Sequence, residues 1–169
     1  MSFPVARSRD EAHLYLDLHP CVCGSVETTW DSGLVNVTGG PTSRYEGNCE
    51  ACGAEREYLF RLPAREVISL DFPMFGSTEP SQLLDAGEWL WVADLTAGHM
   101  PEGGEREALS IARAAVEEVI KFIPPGQDSV PDDAFWTDRG RAVHAAEPGR
   151  FGLDRLLIIR NTYRDLASH

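Results

Sequence analysis

The sequence predicts an α+β fold in which a small antiparallel sheet is stapled by a four-cysteine metal site and covered by about four helices. Three observations lead there. All four cysteines fall into two short pairs, Cys21 with Cys23 and Cys49 with Cys52, and each pair is followed by glycine. Short runs rich in β-branched and aromatic residues lie between and just after the pairs, and most of the later chain repeats apolar residues at helical spacing.

The elements follow in order. Ser8 with Glu11 three residues on makes a capping box, and Ala12, Tyr15, Leu16 and Leu18 supply an apolar side, so a helix is predicted over 9–18, ended by Pro20. Val26 to Trp30 and Leu34 to Thr38 are β-prone runs on either side of Asp31-Ser32-Gly33, which reads as a hairpin turn. Gly39-Gly40-Pro41 turns the chain again, Arg44 to Asn48 leads into the second cysteine pair, and Arg56, Tyr58, Phe60 and Leu62 mark a strand leaving it. Val67 to Leu70 predicts a final strand, and a turn-rich loop runs on to Thr78.

Helix-start signals at Thr78 to Ser81 predict a helix over 80–97, weakened by Gly87 and closed by Gly98 and Pro101. Trp89 and Trp91 lie about 200° apart on its wheel and cannot face one core. A partly buried structural role is expected for them, with a surface anchor as the alternative. The clearest helix is 105–123, whose apolar stripe runs from Ala108 to Ile123 and whose first turn is acidic. Pro124-Pro125-Gly126 ends it. A turn at Pro131 to Trp136, a helix at Asp138 to Ala146 and a last helix at Leu153 to Ala167 complete the chain. Residues 1–77 form the sheet module and 78–169 the helical part. The two are expected to pack as one domain, because three or four short strands bury too little apolar area to stand alone.

Four thiolates fill the tetrahedron that Zn²⁺ prefers, and such a closed set builds structure without chemistry. Cys21, Cys23, Cys49 and Cys52 are therefore the predicted metal ligands and structural zinc the predicted cofactor, with iron left open as the metal. Two alternatives compete. His19, two residues before Cys21, can replace a sulfur, although a capping role suits it better. Disulfides need an oxidising compartment, and the N-terminus shows no apolar signal-peptide core, so a cytoplasmic location is expected.

The segments His19-Pro20-Cys21-Val22-Cys23-Gly24, Cys49-Glu50-Ala51-Cys52-Gly53 and Arg56-Glu57-Tyr58-Leu59-Phe60-Arg61-Leu62-Pro63 resemble zinc-ribbon proteins, including small bacterial ones with a helical tail. The resemblance covers about the first third of the chain. It implies a zinc site at the four cysteines and nothing about catalysis. Ribbons of nucleic-acid machinery carry basic knuckles, whereas Glu46, Glu50, Glu55 and Glu57 surround the second pair here.

Charge narrows the function further. The chain has 27 acids against 15 bases, a net −12, and residues 63–125 alone hold 11 acids against 4 bases. That balance argues against nucleic acid and points to a neutral or basic protein partner. No apolar run reaches the ~18 residues of a membrane helix. The signatures HExxH, GxSxG, GxxxxGK and GxGxxG are all missing from the sequence. The leading expectation is a non-enzymatic protein-binding module, in its most concrete form an immunity or antitoxin-like inhibitor of a basic toxin. Its candidate contact residues are Glu88, Trp89, Asp94, Glu102, Glu117 and Glu118.

Two rivals remain. One is a small enzyme with a site between sheet and helices, using His99 and the C-terminal arginines. The other is a nucleic-acid adaptor acting through Arg139, Arg141, Arg150 and Arg155. The basic stripe Arg150, Arg155, Arg160 and Arg164 is expected to pair with the acidic middle helices. Oligomeric state is left open.

Overall fold

A computed structural model describes residues 3–65 and 72–169. The expected strand at Val67 to Leu70 lies outside the described residues. The fold class is α+β, with a three-stranded antiparallel sheet and five α-helices. The chain divides into two compact units, Met1–Ile68 and Ser69–His169.

In the first unit, α1 spans Arg9–Leu18, and its start is set as the capping pattern predicts. The Ser8 hydroxyl accepts the Glu11 N–H at 3.0 Å. The Glu11 carboxylate turns back to Arg7, accepting its backbone N–H and its Nε–H at 3.0 Å each. Glu11 is fully buried and Arg7 nearly so. Glu11→Ala removes the fully buried carboxylate that the Arg7 guanidinium is bonded to, so in the metal-loaded protein it is expected to cost about 3–5 kcal/mol. Replacing both members by apolar residues of similar size should cost far less. Urea midpoints check this, and a single-variant loss below about 1 kcal/mol would count against the pair.

The sheet runs β1 (Asp31–Val37), β2 (Gly40–Asn48) and β3 (Glu55–Arg61) in spatial order β1-β2-β3. Asp31-Ser32-Gly33 is not the hairpin turn: it lies inside β1, with Asp31 opposite Glu46 and Gly33 opposite Arg44. The turn comes at Thr38-Gly39, bounded by the pair Val37–Gly40, because Gly39 and Gly40 supply φ of +110° and +116°. Strand alternation puts Tyr45, Tyr58 and Phe60 on one face. On that face Tyr15 of α1 meets Tyr58 and Phe60 edge-on at 5.9 and 5.5 Å, and His13 meets Tyr45 at 5.5 Å. The other face carries Asp31, Arg44, Glu46, Asn48, Glu55 and Glu57.

The second unit contains α2 (Ala86–Gly98), α3 (Glu105–Ile120), α4 (Asp138–Ala146) and α5 (Leu153–Ala167). Helix α3 packs against both α2 and α5, and α2 also packs against α4. The start of α2 falls later than Thr78 to Ser81 suggest. Asp85 and Glu88 form a reciprocal capping box there, while the Ser81 hydroxyl accepts the N–H groups of Leu83 and Leu84 in a turn. Helix α3 closes three residues early, with Phe122 and Ile123 bonded to Val119 and Ile120 in a tightened last turn. Both α4 and α5 keep the bounds read from the sequence.

Trp89 is fully buried against Phe75 at 4.9 Å, and its Nε1 has no hydrogen-bond partner among the described residues. Trp91 is half-buried, with the Arg139 guanidinium 4.1 Å over its ring.

One carboxylate organises two helix starts. Asp85 is fully buried; its Oδ1 accepts the Glu88 N–H, and its Oδ2 accepts the N–H groups of Trp136 and Thr137 and the Thr137 hydroxyl. Thr137 is itself the N-cap of α4. A single negative charge thus sits at the positive ends of α2 and α4.

Candidate metal centre

The two cysteine pairs occupy turns built alike. In the first, the Cys21 N–H donates to the Ser25 carbonyl at 2.9 Å and the Gly24 N–H to the Cys21 carbonyl at 2.7 Å. In the second, the Cys49 N–H donates to the Ala54 carbonyl at 2.9 Å and the Gly53 N–H to the Cys49 carbonyl at 2.8 Å. The tighter CxC spacing therefore keeps the knuckle frame with one residue fewer. Gly24 and Gly53 take φ of +90° and +77°, the left-handed conformation that lets each loop fold beneath its sulfurs. Pairing of Thr28 with Cys49, and a hydrogen bond from the Glu50 N–H to the Glu27 carbonyl, bring the turns together. Arg56 reinforces this: its guanidinium donates to the His19 carbonyl and the Thr28 hydroxyl and stacks 4.9 Å from the Trp30 ring.

The result is a cluster in which the ligand atoms of Cys21, Cys23, Cys49 and Cys52 all lie within 4.8 Å of one another. Sulfurs of Cys21 and Cys52 are 3.6 Å apart and those of Cys23 and Cys49 are 3.7 Å apart. Metal–sulfur bonds of ~2.3 Å in a tetrahedron give an edge of ~3.8 Å, so these spacings fit a four-thiolate site. They are far beyond the ~2.05 Å of a disulfide, and all four thiols are free. Cys21 and Cys49 are buried, Cys23 and Cys52 exposed.

The electrostatics also suit a cation. The Cys49 thiol is lowered to about 6, first by the Cys52 N–H, which outweighs the opposing effect of burial, and then by the Ala51 N–H and the nearby thiols of Cys23 and Cys21. Cys52 moves up to about 11: the Ala54 N–H lowers it, but the surrounding thiols of Cys21, Cys23 and Cys49 together with burial raise it. One thiolate forms readily and further negative charge is resisted, a conflict that a bound cation removes.

His19 is not in the cluster. Its Nδ1 lies 2.7 Å from the Tyr15 carbonyl at the end of α1, and its ring stacks on Tyr15 at 3.9 Å. Among the described residues no other group of three or more His, Cys, Asp or Glu side chains is gathered closely enough to hold a metal.

The residues expected to meet a partner are scattered. Glu88, Trp89 and Glu118 are buried, which corrects their assignment to a surface: Glu88 closes the capping box, Trp89 fills the core, and Glu118 pairs with Lys121. Asp94 is exposed but held by Arg150 in two 2.7 Å hydrogen bonds; Glu117 pairs with Arg113 at 2.9 Å, and Glu102 is exposed. His99 caps α2 with Nδ1 3.0 Å from the Leu95 carbonyl. His144 is stacked on Phe135 at 4.1 Å.

Of the basic stripe, Arg150 alone among the described residues reaches an acidic middle helix, and its pKa is raised by the hydrogen bonds it donates to Asp94. Arg155 faces Glu147 at 4.0 Å, and Arg164 faces Asp165 at 3.6 Å. Arg139 and Arg141 are engaged by Trp91 and by Asp138 with the Trp136 carbonyl.

The sequence shows Glu46, Glu55 and Glu57 as acids around the second cysteine pair, but not that they share one face of the sheet with Asp31. Asp31, Glu46 and Glu57 stand side by side across β1, β2 and β3, with Glu55 one pair away. Arg44 bridges Glu46 at 2.6 Å and Glu57 at 2.7 Å, and Arg56 also borders this group. Together they line a depression of about 570 Å³. The signal was alternation of acids in Glu55-Arg56-Glu57, legible only once the strand register is known.

No family model, no curated protein and no solved structure matches this chain. The described residues show four clustered cysteines near a small antiparallel sheet, with helices later in the chain, and no family. No helix among the described residues is long and apolar enough to cross a membrane.

Proposed function

We propose that this chain is a non-enzymatic, zinc-stapled module that binds a basic protein in the cytoplasm, in its most specific form an inhibitor of a cationic toxin. Zn²⁺ is held by Cys21, Cys23, Cys49 and Cys52, and as a closed four-thiolate site it supplies structure rather than catalysis. The observation that supports binding is the row Asp31–Glu46–Glu57. Like charges placed directly across adjacent strands destabilise a sheet, yet this chain sets three in register on an exposed face, with Arg44 paired to Glu46 and Glu57. A concentrated negative surface of this kind steers and orients a positively charged partner.

The test is affinity capture from the native host followed by binding at rising salt. The captured protein should be basic. Its association should weaken at least about tenfold between roughly 0.05 and 0.5 M salt, as expected for screened surface charges. The double variant Glu46→Gln with Glu57→Gln should weaken it at low salt while leaving the fold intact. Binding indifferent to salt and to both substitutions would remove this reading.

A further inference from the structure

We propose that the cysteine centre is also an oxidation site for hydroperoxides, converting from four metal-binding thiolates to two disulfides that run between the knuckles, Cys21–Cys52 and Cys23–Cys49. The inference rests on the zinc reading of the centre. Each of the two close sulfur pairs joins one exposed thiol to one buried thiol of the other knuckle: exposed Cys52 faces buried Cys21 at 3.6 Å, and exposed Cys23 faces buried Cys49 at 3.7 Å. An oxidant from solvent meets Cys23 or Cys52 first, and the sulfur best placed to resolve the product is the sheltered one across the gap.

The chemistry balances within each pair. A thiolate of Cys52 attacks one peroxide oxygen, the O–O bond breaks, and a sulfenic acid forms. The Cys21 thiolate then attacks that sulfur, the S–O bond breaks, and an S–S bond forms. Two sulfurs lose one electron each, and with two protons from solvent the two peroxide oxygens leave as two waters from hydrogen peroxide, or as one water and one alcohol from an organic hydroperoxide. Two equivalents of hydroperoxide therefore consume all four thiolates and free the cation, since a disulfide sulfur carries no charge with which to hold it.

The direction of pairing matters for the fold. Bonds within a pair, Cys21–Cys23 and Cys49–Cys52, would leave the knuckles untied once the metal departs. Bonds between them join positions 31 and 26 residues apart and keep the tie the metal provided. Oxidation is thus expected to release metal without unfolding the sheet.

The experiment uses the full chain loaded with zinc. Metal content is measured first, then hydrogen peroxide is added while zinc release is followed with a chromogenic chelator and the product is digested with trypsin without reduction. Cleavage after Arg9, Arg44 and Arg56 puts each cysteine pair on its own peptide, so disulfides between knuckles appear as the two peptides joined. The expected result is one zinc released per two peroxides, joined peptides, retained amide protection in the sheet, and recovery of zinc binding after dithiothreitol. Separate peptides with internal disulfides, sulfinic or sulfonic acids at Cys23 and Cys52, or zinc held against excess peroxide overturn the inference. A chain that carries no zinc at the outset overturns the zinc reading instead, and the peptide map still decides whether the disulfides run within or between the knuckles, with fragmentation of the joined peptides between Cys21 and Cys23 assigning the partners.

Discussion

Stripping the metal with a strong chelator under reducing conditions, or replacing Cys49 with serine, will unfold the sheet module while α2 to α5 stay folded. Among the described residues the sheet has three strands, and β1 presents nearly all of its residues to solvent. Besides Cys21 and Cys49, the module's buried apolar side chains among the described residues are Tyr45 and Phe60 with Ala6, Ala12 and Leu16. Such a sheet is marginal alone, whereas structural zinc contributes ~10–16 kcal/mol of binding free energy that is also folding free energy. The helical unit has a core of its own around Trp89, Leu90, Val116, Val119 and Leu156. Amide hydrogen exchange read peptide by peptide separates the two responses. Protection should vanish across residues 31–61 and persist across 86–120. Unchanged protection in the strands after complete metal removal would show that the cysteines do not carry the fold.

Gly87→Ala will destabilise the helical unit, opposite in sign to what helix propensity dictates. Alanine within an ordinary helix is better than glycine by ~1 kcal/mol. At position 87 a Cβ would lie 2.3 Å from the Gly140 carbonyl oxygen and 2.5 Å from its Cα, both backbone atoms of α4. The helices can make room only by separating, which also pulls Asp85 away from the Trp136 and Thr137 donors. Overpacking of ~1–3 kcal/mol and charge-assisted hydrogen bonds of ~1.5–3 kcal/mol each put the expected loss at about 4 kcal/mol. Gly140→Ala should behave similarly, since its Cβ would fall 2.0 Å from Asp85 Oδ1. Thermal or urea unfolding decides between the two signs. A stabilised Gly87→Ala variant would mean that α2 and α4 do not approach as described.

Those two predictions mark where the sequence was legible and where it was not. Pair spacing with following glycines located the cysteine cluster, because four cysteines in two knuckles leave few other arrangements. Helices α1, α4 and α5 were legible because caps and breakers agree with the apolar period at Ser8, Thr137 and Pro148. The first turn was misplaced because Asp31-Ser32-Gly33 competes with Thr38-Gly39-Gly40, and two glycines at positive φ outweigh one.

The start of α2 was misjudged although Asp85-x-x-Glu88 is itself a capping box. Ser81 and Pro80 gave the louder signal, and they form a turn instead. Glu88 and Glu118 looked like surface acids only when read as charges. Glu118 sits three and four residues from buried Ala115 and Ala114, so helical period alone places it inside. The close approach of Gly87 to Gly140, and the carboxylate row on the sheet, depend on pairing between segments far apart in sequence and have no local signature.

The central claim, a closed site of four thiolates, is tested most directly by X-ray absorption at the metal edge of the purified protein. The account predicts one zinc per chain surrounded by four sulfurs at ~2.3 Å and by no lighter atom. A shell containing an oxygen or nitrogen ligand, or fewer than four sulfurs, would contradict it.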